Sequence, residues 1–487
     1  MTFRFAPRRA LLRAPVHATV WALAATALLS ACSSPAPHAS TSPWSAAQLG
    51  LTASASTDVA ADWWTTWGDA RLQALIRQAL QDHPNMQQAQ ARVRRMQALA
   101  GAADAASLPQ VGLGADFSRQ RYSANGLFPK PIAGNTWNND TLQVSLGWTP
   151  DLWGEHAAAL AAAVGQTRAA EAEAAMASQM LASQILRASI GLARLLAQSE
   201  TSTQLIALRD TAQTLVRQRQ AAGLDTGIDR AQSETSLAEL QTQHHALQEQ
   251  IALARHQLAV LCGLPPQALQ DHAPRLEDFA LPAMPAQLGA DLLGRRPDVV
   301  AARWRAEAAQ QQIHVARTQF YPSVSLGAFA GYNALGTEHL LDAGSRQYGI
   351  VPALRLPLFE GGRLKAQLAG REAERDAAVA QYNQAVLDAV REAADAIRSS
   401  ESAAQQVADQ SRALAGAQQA FALAQQREQA GLGNRLTLLN AQAALLAQQR
   451  AAIDLQARQL DVRVQLVRAL GGGWTAEPLT AQTTARR

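Results

Sequence analysis

The chain has 487 residues, 48% of them hydrophobic and 17% charged, which is long and apolar enough for more than one packed domain. Its 43 basic and 39 acidic residues give a net charge of +4, with part of the basic excess near the N-terminus, so we predict no nucleic-acid partner. Two cysteines are too few for a disulfide framework, and no hydrolase, metalloprotease or phosphate-binding motif occurs, so we predict no enzyme, no cofactor and no metal site.

The N-terminal 31 residues have the pattern of a lipoprotein signal peptide. Four arginines precede an apolar segment at 18–29, which is too short to span a bilayer. The following LSAC sequence resembles a bacterial lipobox, so we predict that Cys32 carries covalent acyl chains such as palmitate. Ser33 fits the sorting pattern for the outer membrane. Residues 32–61, rich in Ser, Ala and Pro, are predicted to form a lipidated flexible tether.

The remaining sequence contains an internal repeat. Pro84 and Pro109 recur as Pro297 and Pro322, with a helical pattern between them and an alternating pattern after them. Later segments also match in order and spacing, including RQAAGL and REQAGL. We interpret these matches as a tandem duplication. The predicted parts are a first structural repeat at 62–270, a proline-rich linker at 264–288, a second structural repeat at 286–475 and a flexible C-terminal tail at 476–487.

Each repeat contains a long proline-free interval rich in strong helix formers. These intervals predict helical hairpins at 155–262 and 363–470, each with a first helix about 100 Å long if unbroken. Apolar residues in the return helices recur at spacings of three, four or seven, which is typical of coiled-coil seams. The seam residues are Leu237, Leu240, Leu247, Ile251, Leu258 and Leu261 in the first repeat, and Leu439, Leu446, Ile453, Leu460 and Val467 in the second.

Two alternating segments in each repeat predict β-strands, at about 110–120, 140–150, 322–332 and 346–358. One face of each strand carries apolar residues and the other carries polar or small ones, as in a transmembrane barrel. We find no run of eighteen apolar residues after the signal peptide, so we expect a closed barrel to make any membrane crossing. Four strands cannot enclose a pore, so several chains must contribute. Two soluble hairpins on a coiled-coil protein remain the alternative.

The segment LLGRRPDVVAARWRAEAAQQQIHVARTQFYPSVSLGAFAGY at 292–332 resembles the signature of the outer membrane factor family, the TolC-like exit ducts of tripartite efflux pumps. The chain is most similar to the lipoprotein branch of nodulation-protein-T type. This resemblance implies a mixed α and β membrane fold. In the implied homotrimer, four strands per protomer complete one outer membrane β-barrel, which continues into a long periplasmic α-helical coiled-coil barrel.

The resemblance also implies function and partners. It implies an exit duct that passes small molecules such as drugs or other toxic compounds to the outside. The implied partners are a periplasmic adaptor (membrane fusion) protein, an inner membrane pump of the resistance-nodulation-division type, and outer membrane lipids. Two alternatives remain open, namely the outer membrane duct of a type I protein secretion system and a periplasmic coiled-coil scaffold lipoprotein.

The resemblance places the periplasmic tip, where the adaptor docks and the duct closes, at the turns around Gly223 and Gly431. Arg219 and Arg427 each lie one helical turn before these glycines. Their guanidinium groups have two open interpretations, because they can cap the last carbonyls of the helix or reach neighbouring helices.

Thr437 and Asn440 are the gate candidates. Many members of the family have Asp at one or both matching positions, where carboxylates form a ring that narrows the aperture. The hydroxyl and amide groups in this sequence predict a gate closed by uncharged hydrogen bonds.

The Arg295-Arg296-Pro297-Asp298 motif has a structural interpretation. Pro297 suits the first turn of a helix, and Asp298 complements the helix dipole there. We expect Arg295 and Arg296 to hydrogen-bond neighbouring backbone groups or carboxylates.

Overall fold

The computed structural model describes residues 41–45, 48, 59–280 and 292–475. The predicted signal peptide, Cys32, most of the predicted tether and the tail at 476–487 lie outside these residues. The helices are α1 (Ala70–Asp82), α2 (Pro84–Ala105), α3 (Glu155–Ala221), α4 (Gly227–Leu261), α5 (Pro297–Thr318), α6 (Arg363–Gln429) and α7 (Arg435–Ala469). The strands are β1 (Gln110–Arg121), β2 (Thr136–Trp148), β3 (Ser323–Leu335) and β4 (Arg346–Arg355). The predicted mixed α and β class is confirmed.

The four strands form one antiparallel sheet in the order β1-β2-β3-β4. Leu113 pairs with Val144, and Val144 pairs in turn with Ala330. Ala330 then pairs with Tyr348 on β4. Because directly paired residues point to the same side of a sheet, this register joins the apolar faces of all four strands into one surface. The two predicted hairpins are therefore halves of a single sheet rather than separate units.

The strand ends differ from the sequence expectation. β2 begins at Thr136, four residues before the predicted start, and the β1–β2 connection shortens to 122–135. β4 ends at Arg355, three residues before the predicted end.

The two repeats give matching helical hairpins. α3 and α6 each have 67 residues, and the return helices α4 and α7 each have 35. Most of the predicted seam residues are buried, whereas Leu240, Leu247, Leu261 and Ile453 are half-buried. Leu258 is 0% exposed and Leu460 is 1% exposed, and both belong to the main core.

The main apolar core joins both repeats. It contains Ile185 and Leu186 of α3 together with seam residues of α4 and α7. An eighteen-residue window of α3 reaches a mean hydropathy of 1.3, so this helix is long and apolar enough to cross a membrane by length and composition, although the window is not an unbroken apolar run. However, 56% of that window is buried inside the chain, which indicates the apolar face of a core helix.

Segments flanking the first repeat pack against this structure more closely than the sequence suggested. In the predicted linker, Leu269, Leu276 and Phe279 are buried in the main core. In the predicted tether, the Asn383 carboxamide of α6 accepts from the Trp44 N–H at 2.9 Å and donates to the carbonyl of residue 42 at 3.1 Å. One amide side chain therefore satisfies two backbone groups at residues 42–44, a contact that the tether prediction did not include, and the flexibility of the tether stays a prediction.

Candidate functional site: the hairpin tips and the sheet faces

The first hairpin tip, at the α3–α4 turn, is closed by backbone hydrogen bonds. The Leu224 N–H donates to the Arg219 carbonyl at 2.8 Å, and the Gly223 N–H donates to the Gln220 carbonyl at 2.9 Å. Gly223 has a φ of +74°, a left-handed conformation in which a Cβ is unfavourable. The Arg-x-x-x-Gly pattern thus marks a helix C-terminus that reverses within a few residues.

Arg219 is held by a carboxylate of the same turn. Its Nε and one terminal nitrogen donate to the two carboxylate oxygens of Asp225, each at 2.9 Å. The side-chain hydrogen bond to Asp225, followed by the charge of Asp225, raises the pKa of Arg219 above its usual value. Within this chain, Asp225 binds two nitrogens of the Arg219 guanidinium, and the two open interpretations of Arg219 stay predictions.

The second hairpin tip has the same backbone and a different charge arrangement. The Leu432 N–H donates to the Arg427 carbonyl at 2.9 Å, and Gly431 has a φ of +73°. The position that matches Asp225 is Gly433, which has no carboxylate to offer. Arg427 is exposed, and its guanidinium has no ion pair among the residues that the structure describes. The second tip therefore presents an uncompensated positive charge.

The gate candidates lie in and just beyond the first turn of α7. The Thr437 hydroxyl donates to the Asn434 side-chain oxygen at 2.8 Å, and the Thr437 N–H donates to the same atom at 2.7 Å. Thr437 is thus part of the helix N-cap. Asn440 lies near the start of the same helix, and its side chain is exposed.

Asp229 is a tip residue that the sequence interpretation missed. It occupies the position in the first repeat that matches Thr437, 208 residues earlier, so the repeat offset was the signal that could have found it. Its carboxylate accepts from the Thr226 N–H at 2.8 Å and from the Thr226 hydroxyl at 2.6 Å in a capping box. The side-chain hydrogen bond from Thr226 lowers the pKa of Asp229.

The apolar face of the sheet, which we call the outer face, is exposed to an unusual degree. Leu113 is 74% exposed, Phe117 64%, Tyr348 86% and Ile350 73%. Large apolar side chains exposed together on one face indicate contact with lipid or with another protein. The alternation along each strand is the pattern of a lipid-facing barrel wall.

The opposite face, the inner face, carries polar side chains and glycines. Gln347 of β4 donates to the Gln143 side chain of β2 at 3.2 Å, across Gly331 of β3. A Cβ at Gly349 would lie 2.8 Å from the Phe329 ring, which therefore covers that glycine closely. A polar face with small residues suits the wall of an aqueous duct.

The Arg-Arg-Pro-Asp motif lies in the protein interior, at the start of α5. Arg296 is 6% exposed and donates to both Asp298 oxygens, at 3.1 and 2.6 Å. It also donates to Glu392 of α6 at 3.0 Å and to the Ala469 carbonyl of α7 at 3.2 Å. Burial alone would lower the pKa of Arg296, but the hydrogen bonds and charges of both carboxylates outweigh burial and raise it. Arg296 therefore ties three helices together.

Comparison with known proteins identifies the family. The model of the outer membrane efflux protein family matches residues 75–264 and 288–472. The chain belongs to the outer membrane efflux protein family.

Named relatives agree with this assignment. The multidrug resistance outer membrane protein MdtP of Shigella flexneri is 33% identical over 439 residues, which cover 86% of this chain and 88% of the relative. The fusaric acid resistance protein FusA of Burkholderia cepacia is 37% identical over 321 residues, covering 64% of this chain and 60% of the relative. The crystal structure of the outer membrane protein VceC from Vibrio cholerae matches with a TM-score of 0.78 and 37% identity, over 85% of this chain and 99% of that chain.

Family membership places this efflux protein in the outer membrane. All four helical connections leave the sheet at the end marked by Gln110, Trp148, Ser323 and Arg355. The two strand hairpins close at the other end, through the loops at 122–135 and 336–345.

Proposed function

We propose that this chain is the exit duct of a tripartite efflux system, without catalytic activity of its own. The observation that carries the proposal is the four-stranded sheet, with one exposed apolar face, one polar face and long helical hairpins leaving from one end. Such a sheet suits one segment of a wall between lipid and water.

The duct forms from three copies of the chain. A sheet of four strands has two free edges, here β1 and β4, and lipid cannot satisfy the backbone groups of an open edge. Pairing β4 of one copy with β1 of the next removes every edge when the ring closes. Twelve strands leave room for an aqueous lumen, whereas four do not.

The hairpin tips dock a periplasmic adaptor protein, which connects the duct to an inner membrane pump of the resistance-nodulation-division type. Arg427 and the exposed turn around Gly431 support this role, because an unpaired charge at the end of a long helical hairpin is available to a partner. Acyl chains on Cys32 hold each copy at the membrane surface, and two or more chains anchor a protein stably.

The cargo is small toxic organic molecules. This proposal is supported by the names of the relatives, one for multidrug resistance and one for resistance to fusaric acid. The polar inner face suits a passive route, because recognition of cargo then belongs to the pump.

The test combines assembly and transport. We expect light scattering in mild detergent, corrected for detergent mass, to give a trimer, and we expect planar bilayers to show conductance. A strain without the gene becomes more sensitive to dyes, drugs and fusaric acid, and the wild-type gene restores resistance. A stable monomer without conductance would reject the duct.

A further inference from the structure

We propose that the loop end of the outer face, which we place on the extracellular side because the helical hairpins leave from the opposite end, binds phosphorylated glycolipids of the outer leaflet through Arg119, Arg121 and Arg346. The clustering of these three residues rests on the proposed pairing of β4 with β1 between neighbouring copies. The ligand chemistry is a lipid headgroup that bears phosphate groups.

The strand register places all three arginines on the lipid-facing side. Arg119 and Arg121 continue the alternation of the apolar residues of β1 that ends at Phe117. Arg346 pairs with Tyr332, whose side of the sheet also carries the apolar residues of β3 and β4. Because alternate strand residues share a face, none of the three arginines points into the lumen.

Their height matches a headgroup layer. Arg119 lies two residues beyond Phe117, or about 7 Å further along the strand. Arg346 likewise lies two residues beyond Tyr348, at the same end of the sheet. Along β1 and β4, the charges therefore begin where the exposed apolar strand residues stop, which is where lipid phosphates lie next to a barrel.

The three guanidinium groups have no carboxylate partner. All three residues are exposed, and none has an ion pair or a side-chain hydrogen bond among the described residues. The nearby acids are engaged elsewhere or face away. Asp140 is 2% exposed and accepts from the Thr337 hydroxyl at 2.7 Å, and Asp342 contacts His339 at 3.0 Å.

Ring closure would bring the arginines together. β1 and β4 are the two edges of the sheet, and both Arg121 and Arg346 lie at its extracellular end. When β4 of one copy lies antiparallel to β1 of the next, the three arginines meet at each seam between copies. Arginine binds phosphate through two parallel hydrogen bonds, so such a cluster suits a headgroup that carries more than one phosphate.

The test is native mass spectrometry of the full-length trimer after delipidation in detergent. The probes are bisphosphorylated lipid A, the same glycolipid without phosphates, and phosphatidylglycerol. We expect the phosphorylated glycolipid to bind at least about tenfold more tightly than either of the other two. The triple variant Arg119→Gln, Arg121→Gln, Arg346→Gln should lose that preference.

The matched control is Arg355→Gln, an exposed arginine on the inner face at the other end of β4, which should keep the preference. If the triple variant does not assemble, the three-probe comparison on the wild type and the single variant Arg121→Gln decide the question. Equal binding of phosphorylated and dephosphorylated glycolipid overturns the proposal, as does equal binding of phosphatidylglycerol or full displacement by millimolar inorganic phosphate. If the trimer conducts but does not prefer the phosphorylated glycolipid, only the proposed lipid site is refuted. If no trimer forms, the proposed duct function is refuted.

Discussion

Arg219 binds Asp225 through two hydrogen bonds of 2.9 Å within the first hairpin tip, and the second tip repeats the arginine without the aspartate. The two tips of one chain therefore share a backbone and differ in charge. At the first tip, the arginine is neutralised by its own turn. At the second, Arg427 stands opposite Gly433 and remains available to another molecule.

This difference predicts unequal roles in adaptor docking. We expect Arg427→Gln to weaken adaptor binding about tenfold, since a charged hydrogen bond contributes roughly 1.5 to 3 kcal/mol. Arg219→Gln should have a smaller effect, because Asp225 already occupies that guanidinium. Surface plasmon resonance with the purified adaptor measures both affinities.

The variant Gly433→Asp also tests whether the unpaired Arg427 docks the adaptor. A Cβ at Gly433 would lie 3.4 Å or more from its neighbours, so a side chain fits there. The new carboxylate should engage Arg427 as Asp225 engages Arg219, and it should weaken docking as much as Arg427→Gln does. Equal losses for Arg219→Gln and Arg427→Gln would contradict the assignment.

The two return helices should respond differently to acid. The hydrogen bond from the Thr226 side chain lowers the pKa of Asp229, so the folded α4 cap binds its proton less readily than the unfolded chain does. The stabilisation is therefore present above the ordinary Asp pKa of about 3.9, and it is lost as the pH falls through the lower folded value. Hydrogen-exchange protection in the first turn of α4, measured from pH 6 to pH 3, should stay constant down to about pH 4 and fall below it.

The α7 cap provides the internal control for this acid response, because Asn434 caps it without a titrating group. After correction for intrinsic exchange rates, protection in the first turn of α7 should change less than in α4. Asp229→Asn should abolish the difference. A parallel loss of protection in both helices would show that acid acts on the whole hairpin and not on the cap.

Removal of Arg296 should destabilise the protein strongly. Arg296→Met leaves Asp298 and Glu392, each 31% exposed, without their shared cation, although Arg468 stays within 3.7 Å of Glu392. Leaving such partly buried groups unpaired costs roughly 1 to 3 kcal/mol. Arg303→Gln is the control, because Arg303 makes an exposed pair with Glu307 that contributes only about 0.3 to 0.5 kcal/mol. Guanidinium unfolding followed by circular dichroism compares the two variants. A loss no larger for Arg296→Met than for Arg303→Gln would disprove the three-helix tie.

Lipid attachment is predicted at Cys32, which lies outside the described residues. Cells that express the wild type and are fed an alkyne-bearing palmitate analogue should incorporate label into the protein, and the variant Cys32→Ser should incorporate none. Cys262 should not take up label, because its thiol is buried and burial raises its pKa to about 12. It therefore serves as the control for labelling of a cysteine other than Cys32. Equal labelling of wild type and Cys32→Ser would reject the anchor.

Features that depend on glycine and proline positions or on local alternation of apolar residues were predictable from the sequence. The bounds of α3 and α6 follow from glycines and from the absence of proline, and strand alternation identified the residues of the exposed outer face. Features that depend on distant partners were not. Asn383 binds the backbone at Trp44, 339 residues away, and no local pattern encodes that contact. The Arg219–Asp225 pair was missed for a different reason, because only the turn geometry brings the two side chains together.

Asn440 and Thr437, the two gate candidates, differ in how free their side chains are. Asn440 is exposed near the start of α7, whereas the Thr437 hydroxyl is engaged by Asn434, so Asn440 is the better position for a new charge. Two carboxylates about 5 Å apart repel by roughly 1 to 3 kcal/mol at effective dielectric constants of 80 to 20. Asn440→Asp should therefore raise conductance in planar bilayers when divalent cations are chelated. Millimolar magnesium should reverse the increase, because a divalent cation bridges carboxylates.

The variant Asp229→Asn is tested alone and combined with Asn440→Asp. The comparison separates the effect of the existing carboxylate of the first repeat on conductance from the effect of the new one. Since Asp229 is held by Thr226, its removal should leave the magnesium response unchanged. A wild-type channel that magnesium already blocks as strongly as it blocks the Asn440→Asp variant would mean that carboxylates line the closed aperture. In that case, the interpretation of the gate as uncharged is wrong.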